Sequence, residues 1–233
     1  VKQFALGPDL AAALGKPALV RNDVRVGGYG EFRLGAGRGY RDLIAAFVGT
    51  GIGGCLIENG RVIEGHTRNA GELGHLVVKA GGPRCGCGAR GCLEAMSSRT
   101  AITRRIAKAI SRGQSSVLSG KVQSKTDRLK SKDLAAAYNA NDPLVVREVH
   151  RAARHLGLAL GGLINVFGPQ VVVVGGGVTE ALGEPWIELI RVSASKQAIA
   201  DPLGTVKIVQ ATLGDDAGIQ GGALLARERF APH

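Results

Sequence analysis

Residues 43–63 have the sequence LIAAFVGTGIGGCLIENGRVI, and this stretch decides the fold of the chain. An apolar strand is predicted over residues 43–48, and a second strand follows the glycine-rich turn GTGIGG at residues 49–54. Asn59-Gly60 is a two-residue hairpin pair that leads into a third strand, RVI. The stretch therefore predicts a β-meander.

Helical and strand patterns alternate along the rest of the chain. Between Val145 and Leu163 apolar residues recur at helical spacing, and the apolar strand VVVV at residues 171–174 follows and ends in three glycines. This alternation of helix, buried strand and glycine turn predicts the α/β class. The further predicted elements are helices near residues 9–14, 24–33, 99–111, 186–195 and 217–227 and strands at residues 18–20 and 206–209.

The length and composition are those of a globular protein. The 233 residues are 45% hydrophobic and 21% charged, which excludes disordered, collagenous and coiled-coil chains and allows one large domain or two small ones. Glycines and Asn165 interrupt the longest apolar run, so no run approaches the roughly 20 residues that cross a bilayer. We therefore expect no membrane-spanning segment and no membrane partner.

The net charge of +11 is concentrated in one stretch. Between Arg99 and Lys132 there are ten basic residues and one acidic residue, Asp127. Such a stretch is typical of a solvated face or a mobile loop, and residues 115–132 are predicted to form a mobile polar connection. The alternatives are an acidic partner, a nucleic acid or the steering of anionic nucleotides.

Four residues have the spacing of a zinc site. His75, Cys85, Cys87 and Cys92 form the pattern H-x9-C-x-C-x4-C, and the glycines between the cysteines supply turns that let the ligands converge. Because the protein fills all four tetrahedral positions, the predicted Zn²⁺ is structural. The cysteines are spaced too tightly for a disulfide framework, so we expect a reduced, cytoplasmic protein. Cys55, alone in an apolar strand, is predicted to lie in the core.

The turn at residues 49–54 matches the dinucleotide-binding pattern GxGxxG, but its context differs. A dinucleotide-binding loop opens a helix, whereas a strand and a hairpin follow this turn. The backbone N–H groups of such a turn and the Thr50 hydroxyl are suited to bind phosphate. A plain tight hairpin is the alternative interpretation.

Four polar residues lie on turns beside glycines or the predicted metal ligands. Asn22 and Asp23 follow a predicted strand, and Glu72 and Glu94 flank the zinc ligands in sequence. We expect the two glutamates to approach each other, and the group is suited to bind several hydroxyls at once. Taken singly, each residue is more typical of a cap or a surface carboxylate.

Two motifs of the chain resemble the signature of a known family. GELGH at residues 71–75, followed by CGCGARGCLE at residues 85–94, resembles the signature of the repressor, open reading frame, kinase (ROK) family of sugar kinases and sugar-responsive regulators. The similarity covers nearly the whole chain. It continues through VRND at 20–23, the turn at 49–54, VVVVGGG at 171–177 and AGIQGGA at 217–223.

The resemblance implies an actin-like ATPase (ribonuclease H-like) fold of two lobes, with ATP and sugar in the cleft between them. It assigns residues 1–37 to a remnant of the N-terminal small lobe, 38–216 to the large lobe with its zinc loop, and 217–233 to a C-terminal helix that returns to the small lobe. Active members of the family carry an Asp-x-Gly-x-Thr phosphate hairpin well before the Asn-Asp pair. These 233 residues lack it, so we expect an incomplete small lobe and a poor kinase from this stretch alone.

The resemblance also implies a role for each candidate site residue. It makes Asp23 the general base, and it lets His75 ligate zinc through one nitrogen and meet a sugar hydroxyl with the other. The implied contacts to sugar hydroxyls are Asn22, Asp23, Glu72, His75 and Glu94. The implied nucleotide contacts are Gly49, Thr50 and Gly51 at the phosphates and Gly176 and Gly177 near the adenosine.

The implied activity is ATP-dependent phosphorylation of a hexose, with glucose favoured and O6 as the acceptor, and with ATP, Mg²⁺ and a structural Zn²⁺ as cofactors. The alternative is a sugar-sensing transcriptional regulator of the same family with a helix-turn-helix upstream of Val1. The resemblance implies a homodimer or a dimer of dimers. It implies no nucleic-acid partner unless that helix-turn-helix is present.

One residue departs from the family's usual pattern. Small residues or Asn often follow the Asn-Asp pair in the family, whereas VRVGG follows it in this chain. We therefore expect a bulky cation, Arg25, to lie near the carboxylate of Asp23.

Overall fold

The computed structural model describes residues 5–122, 129–199, 201 and 204–230. Helices and strands alternate over these residues as the α/β class requires. The helices are α1 (Leu6–Leu14), α2 (Asp23–Arg33), α3 (Leu93–Ser97), α4 (Arg99–Ile110), α5 (Ser131–Asn139), α6 (Pro143–Phe167), α7 (Gly177–Leu182), α8 (Glu184–Ser195) and α9 (Ala217–Phe230). The strands are β1 (Leu43–Val48), β2 (Ile52–Glu58), β3 (Arg61–Val62), β4 (Val171–Gly175) and β5 (Lys207–Gln210).

The five strands form one sheet in the order β3-β2-β1-β4-β5. The predicted meander is confirmed, because β2 pairs antiparallel with both β1 and β3. The hairpin between β2 and β3 places Asn59 and Gly60 at φ values of 51° and 78°, which is the left-handed geometry that an Asn-Gly pair adopts readily. On the other side, β1, β4 and β5 are parallel, so their carboxyl ends share one edge of the sheet.

The two faces of the sheet are covered by different helices. One face, with Ile44, Ala46 and Val48 of β1, belongs to the main apolar core, which also includes the buried residues of α6 and α8. The other face, with Ala45 and Cys55, forms a smaller cluster that α2 covers. The alternation of buried side chains along β1 therefore places a helical layer on each side, and Cys55 lies in the core as predicted.

The long helix α6 organises the main core. Asp142 caps its start, where Oδ1 accepts a hydrogen bond from the Val145 N–H at 3.0 Å, and Gly168 ends it at φ 54°. The absence of a side chain at Gly157 lets α6 approach α8 closely, because a Cβ there would lie 2.5 Å from Cβ of Ser193. The predicted helix is confirmed and runs straight into the turn before β4.

On the opposite face, α2 and α9 are in backbone contact. A Cβ at Gly221 of α9 would lie 2.0 Å from the carbonyl oxygen of Val26 in α2, so only glycine permits this approach. The buried carboxylate of Glu31 in α2 accepts hydrogen bonds from the N–H groups of Thr212 at 3.0 Å and Leu213 at 2.7 Å. These contacts tie the middle and the end of α2 to α9 and to the segment that leads into it, and two candidate site residues lie at the start of the same helix.

Several sequence predictions differ from the structure. Residues 18–20 are not a strand, because no strand of the described sheet lies beside them, and Asn22 instead caps α2. The connection at 115–132 is not wholly polar, since Leu118, Val122 and Leu129 are buried in the main core. The mobility predicted for that connection also concerns residues 123–128, which lie outside the described part of the chain. Helices α3, α5 and α7 were not predicted, and the three domain limits remain a prediction.

Over the described residues, no helix is both long enough and apolar enough to cross a lipid bilayer.

Candidate functional site

Two glycines of β2 bring the candidate site segments to the same strand. A Cβ at Gly53 would lie 2.6 Å from a methyl group of Val24, which is in the first turn of α2. A Cβ at Gly54 would lie 2.3 Å from Cγ of Leu73, which is in the 3₁₀ turn Leu73–His75. Because glycine has no side chain, both segments pack directly on β2. The Asn-Asp pair and the GELGH loop therefore flank one strand.

Asn22 and Asp23 lie at the start of a helix rather than at the end of a strand. Asn22 is the N-cap of α2, and its Oδ1 accepts a hydrogen bond from the Arg25 N–H at 3.0 Å. Oδ1 of Asp23 accepts one from the Val24 N–H at 2.9 Å. Both side chains are exposed. This leaves the Asn22 amide NH₂ and Oδ2 of Asp23 free of hydrogen-bond partners within the described residues.

Glu72 and His75 lie on a tight loop that β2 supports. Gly71 has φ 87°, and a Cβ there would lie 3.0 Å from the Gly54 carbonyl oxygen, so this turn requires glycine. The Glu72 side chain is 47% exposed, and the His75 side chain is exposed as well. Both polar groups are therefore accessible to a ligand.

The four predicted metal ligands converge. One ligand atom from each of His75, Cys85, Cys87 and Cys92 lies within 4.8 Å of all the others. Nδ1 of His75 is 3.7 Å from Sγ of Cys85, and the sulfurs of Cys87 and Cys92 are 3.7 Å apart. A tetrahedral Zn²⁺ with Zn–S bonds of about 2.3 Å sets neighbouring sulfurs about 3.8 Å apart. The donor set and its spacing therefore fit a tetrahedral zinc ion.

Turns between the cysteines hold the cluster together. The Cys85 N–H donates to the Ala89 carbonyl at 2.8 Å, and Gly91 has φ 80° with so little space that a Cβ would lie 1.7 Å from the Lys79 carbonyl oxygen. Hydrogen bonding from the Ala89 backbone lowers the pKa of the Cys87 thiol. Burial raises the pKa of the Cys92 thiol to about 12. Backbone turns therefore help to order the sulfurs, two of which belong to buried cysteines, Cys85 and Cys92.

Glu94 connects two segments of the candidate site. One is the loop at residues 71–92 that carries the four predicted metal ligands, called the metal loop here, and the other is the glycine turn at residues 49–54. Oε2 of Glu94 accepts a hydrogen bond from the Ile52 N–H at 3.0 Å, and its Oε1 lies 3.8 Å from Sγ of Cys85. A Cβ at Gly51 would lie 2.4 Å from Oε2, so glycine is required for the carboxylate to reach the turn. A candidate sugar contact therefore touches the candidate phosphate turn. The predicted approach of Glu72 to Glu94 remains a prediction.

The candidate nucleotide contacts share the carboxyl edge of the parallel strands. Gly49, Thr50 and Gly51 follow β1, and Gly176 and Gly177 follow the neighbouring strand β4. Gly176 has φ 85°, and a Cβ there would lie 2.8 Å from the Val48 backbone, so the two turns are in contact. Ligands of open α/β sheets bind outside the carboxyl ends of the strands.

Two contacts of this edge have no counterpart in the sequence predictions. The Arg99 N–H donates to the Gly49 carbonyl at 2.9 Å, and the Thr100 hydroxyl donates to the Thr50 carbonyl at 2.7 Å. The Arg99 guanidinium also donates to the Ser131 hydroxyl at 3.0 Å, beside Gly177. Arg99 begins the basic stretch interpreted as a solvated face or mobile loop, and no local pattern marks it as a support of the turn.

A cavity of about 320 Å³ opens between the glycine turn and the metal loop. Thr50 and Gly51 line one side of it, Cys85 and Glu94 line another, and Arg104 adds a positive charge. A larger cavity of about 440 Å³ lies between α6, α8 and β5, and it contains none of the candidate site residues. The smaller cavity is therefore assigned to the candidate site because candidate residues line it, not because of its volume.

Among the described residues Arg25 forms no ion pair with Asp23, and its closeness to that carboxylate remains a prediction. Its guanidinium donates to the Arg68 carbonyl and lies 3.9 Å from Oε1 of Glu72, which places its charge toward the GELGH loop.

Comparison with known proteins gives a consistent picture. The family model described as the ROK family matches residues 1–229. The glucokinase of Thermotoga maritima is 35% identical over 225 residues, 97% of this chain and 70% of that protein. The DNA-binding transcriptional dual regulator NagC of Escherichia coli is 31% identical over 208 residues, 89% of this chain but 50% of that protein.

A similar solved structure is a ROK family glucokinase from Streptomyces griseus in complex with glucose and AMPPNP. It is 32% identical with a TM-score of 0.83, and the match covers 96% of this chain and 72% of that one. The ROK hexokinase of Thermus thermophilus is 34% identical with a TM-score of 0.82, covering 97% of this chain and 70% of that one. This chain has the actin-like ATPase fold of these sugar kinases and belongs to the ROK family.

Proposed function

We propose that the protein transfers the γ-phosphoryl group of ATP to a hexose, with glucose as the preferred substrate and O6 as the acceptor. The contact of Glu94 with the glycine turn carries this proposal, because its carboxylate accepts a hydrogen bond from the Ile52 N–H and lies against Gly51. A kinase must hold the acceptor hydroxyl next to the phosphate that it receives. A sugar contact that touches a phosphate turn meets this requirement.

In this proposal Asp23 is the general base. Its exposed carboxylate has one oxygen held by the Val24 N–H, which leaves Oδ2 to accept the proton of the O6 hydroxyl as that oxygen attacks the γ-phosphorus. Asn22 uses Oδ1 as the helix cap, so its NH₂ group donates to a sugar oxygen. Glu72 and Glu94 accept hydrogen bonds from other sugar hydroxyls.

ATP is proposed to bind along the carboxyl edge of the parallel strands. The Thr50 hydroxyl and the turn at Gly49 and Gly51 would contact the phosphates, and Gly176 and Gly177 would lie near the adenosine. The chemistry supplied by the Mg²⁺ that accompanies ATP is neutralisation of phosphate charge during transfer. The positive charges of Arg99 and Arg104 near this edge favour an anionic nucleotide.

A structural Zn²⁺ is proposed at His75, Cys85, Cys87 and Cys92, whose donor atoms fit a tetrahedral site. It supplies no reacting group, since all four positions belong to the protein. With Nδ1 of His75 directed to the cluster, Nε2 is the nitrogen that meets a sugar hydroxyl. The ion would fix the loop that ends at Glu94.

The second candidate function is a sugar-sensing transcriptional regulator, which the similarity to NagC favours. A sensor needs the sugar contacts but needs neither a base nor a phosphate turn. Asp23 and the turn at residues 49–54 are both present, and this supports the kinase. Location in the cytoplasm, assembly as a homodimer and the three domain limits belong to the same proposal.

The proposal is tested by steady-state kinetics of the full-length protein with ATP and four sugars: glucose, mannose, fructose and N-acetylmannosamine. Because a site built for hydroxyls discriminates strongly against a missing or reoriented one, kcat/KM is expected to be highest for glucose. A different sugar clearly ahead would overturn the specificity. Sugar binding with no phosphoryl transfer to any of the four would favour the regulator.

A further inference from the structure

Arg25 contacts two residues of the proposed sugar site that lie on different segments, Asn22 at the start of α2 and Glu72 in the GELGH loop. Its backbone N–H donates to Oδ1 of Asn22 at 3.0 Å, which fixes the orientation of that amide. Its guanidinium donates to the Arg68 carbonyl, and Nη2 lies 3.9 Å from Oε1 of Glu72. The side chain is only 11% exposed, although it carries a full charge. One residue therefore joins the start of α2 to the GELGH loop.

We propose that Arg25 is a positioning residue, which holds the carboxylate of Glu72 at a fixed place relative to Asn22 and so sets the affinity for the sugar. This inference rests on the proposed function, because it assumes that Asn22 and Glu72 contact the substrate. The guanidinium attracts Oε1 of Glu72, and no ion pair or hydrogen bond among the described residues engages Oε2, which can accept a hydrogen bond from a sugar hydroxyl.

The physical reason is pre-organisation. The Glu72 side chain is 47% exposed and, without the cation, would sample several rotamers that the sugar must then restrict. A fixed carboxylate binds a hydroxyl with less loss of conformational entropy, so the benefit appears in ground-state affinity. Transfer of the phosphoryl group occurs at Asp23 and O6, and that step gains nothing from Arg25.

A neighbouring arginine supplies a matched control. Arg21 precedes the Asn-Asp pair and contacts the segment before the GELGH loop, where its partner is Glu64, at 3.5 Å. Its side chain is 35% exposed, so the pair is a surface ion pair of the kind that contributes little. Removal of Arg21 weakens a tether of the loop without releasing Glu72.

The test compares Arg25→Gln, Arg25→Lys and Arg21→Gln with the unaltered full chain. We expect Arg25→Gln to raise KM for glucose, and the dissociation constant measured by calorimetry, by about 2- to 5-fold. KM for ATP and kcat should change less than twofold. Loss of the hydrogen bond to the Arg68 carbonyl should lower the melting temperature slightly, with the protein still folded at the assay temperature. Arg25→Lys retains the charge and should restore part of the affinity, whereas Arg21→Gln should bind glucose normally.

A double-mutant cycle with Glu72→Gln separates positioning from a general effect on the loop. If Arg25 acts through Glu72, the double variant should bind glucose no more weakly than Glu72→Gln alone. Additive losses, equal losses in Arg21→Gln and Arg25→Gln, or normal affinity in Arg25→Gln would each overturn the inference. Failure of the unaltered chain to bind any hexose would overturn the proposed function itself, and the inference with it.

Discussion

The central sheet and the metal loop are built by different forces. In β4, Val171 to Val174 have no exposed surface. Val172 and Val174 pack in the main core with α6 and α8, and Val171 and Val173 belong to the smaller cluster on the other face. Between Gly71 and Cys92, by contrast, most residues are polar, exposed or glycine. Apolar burial holds the first region, whereas close glycine contacts and, in our proposal, a zinc ion bound by four side chains hold the second. The comparison teaches that the fold and the proposed site can be damaged separately.

The largest expected effect is that of substituting Asp23, which lies at the start of α2, the helix that packs on the sheet. Asp23→Asn removes the proposed base while retaining the shape of the side chain and its exposed position at the helix start. We expect kcat to fall by about 10²–10⁴, with the dissociation constant for glucose little changed. Pre-steady-state kinetics and calorimetry measure the two quantities. Near-normal turnover in this variant would remove Asp23 from the mechanism.

The sheet side of the comparison is tested by Leu156→Ala in α6. Leu156 has no exposed surface, so its truncation should lower the free energy of unfolding by about 2–5 kcal/mol. Val166→Ala on the same helix is the control, because that side chain is 76% exposed and its loss should cost less than about 0.5 kcal/mol. Urea unfolding measures both. Equal losses in the two variants would contradict the assigned core.

The loop side is tested by two cysteines in different regions. Cys87→Ser removes an exposed ligand of the proposed zinc site and should reduce bound zinc from one ion per chain to less than one, with glucose affinity falling about 10- to 100-fold. Cys55→Ser places a hydroxyl in the sheet core and should lower stability while zinc and glucose binding persist. Elemental analysis measures the bound zinc, and calorimetry measures the affinity for glucose. Equal loss of zinc from both variants would contradict the assignment of Cys87 to the zinc site and of Cys55 to the core.

The smallest effect concerns His155, which lies on α6 and faces cations from α4, α6 and the loop. Burial, followed by the charges of Arg105, Arg151, Lys79 and Arg154, lowers the pKa of His155 to about 4. As the pH is lowered from 6.5 to 4, the unfolded chain therefore takes up a proton that the folded chain does not. The free energy of unfolding decreases as the pH decreases over this window.

His155→Gln removes this titration, so its free energy of unfolding should decline less between pH 7 and pH 5 than that of the unaltered chain. The other titrating groups are common to both proteins and cancel in the difference. Urea unfolding at the two pH values measures it. Parallel declines would show that His155 is not held neutral by its surroundings.

The same comparison explains what the sequence revealed. The strand Leu43–Val48, the Asn-Gly hairpin and α6 were predicted closely, because periodic burial and turn chemistry are local properties. The four residues of the proposed zinc site were singled out because their chemistry and spacing are distinctive, and the structure brings their ligand atoms together. Residues 18–20 have the composition of a strand, but a strand needs a hydrogen-bonded neighbour, and none lies there in the described sheet.

The contacts that complete the candidate site could not be predicted from local sequence patterns. Glu94 reaches the Ile52 N–H across 42 positions of sequence, and Arg25 reaches Arg68 across 43. Arg99, which supports the turn at Gly49, lies in a stretch whose charge favours a solvated face. Each contact depends on how two segments pack against β2 or β1, and no pattern within either segment encodes it.

The most direct test of this account is a calorimetric titration of glucose into the full chain before and after removal of zinc by a chelator, with circular dichroism of both samples. If the metal loop positions Glu72, His75 and Glu94 independently of the sheet, the stripped protein should keep its secondary structure and lose glucose binding, and added Zn²⁺ should restore it. Unchanged glucose affinity in fully stripped, folded protein would contradict the account.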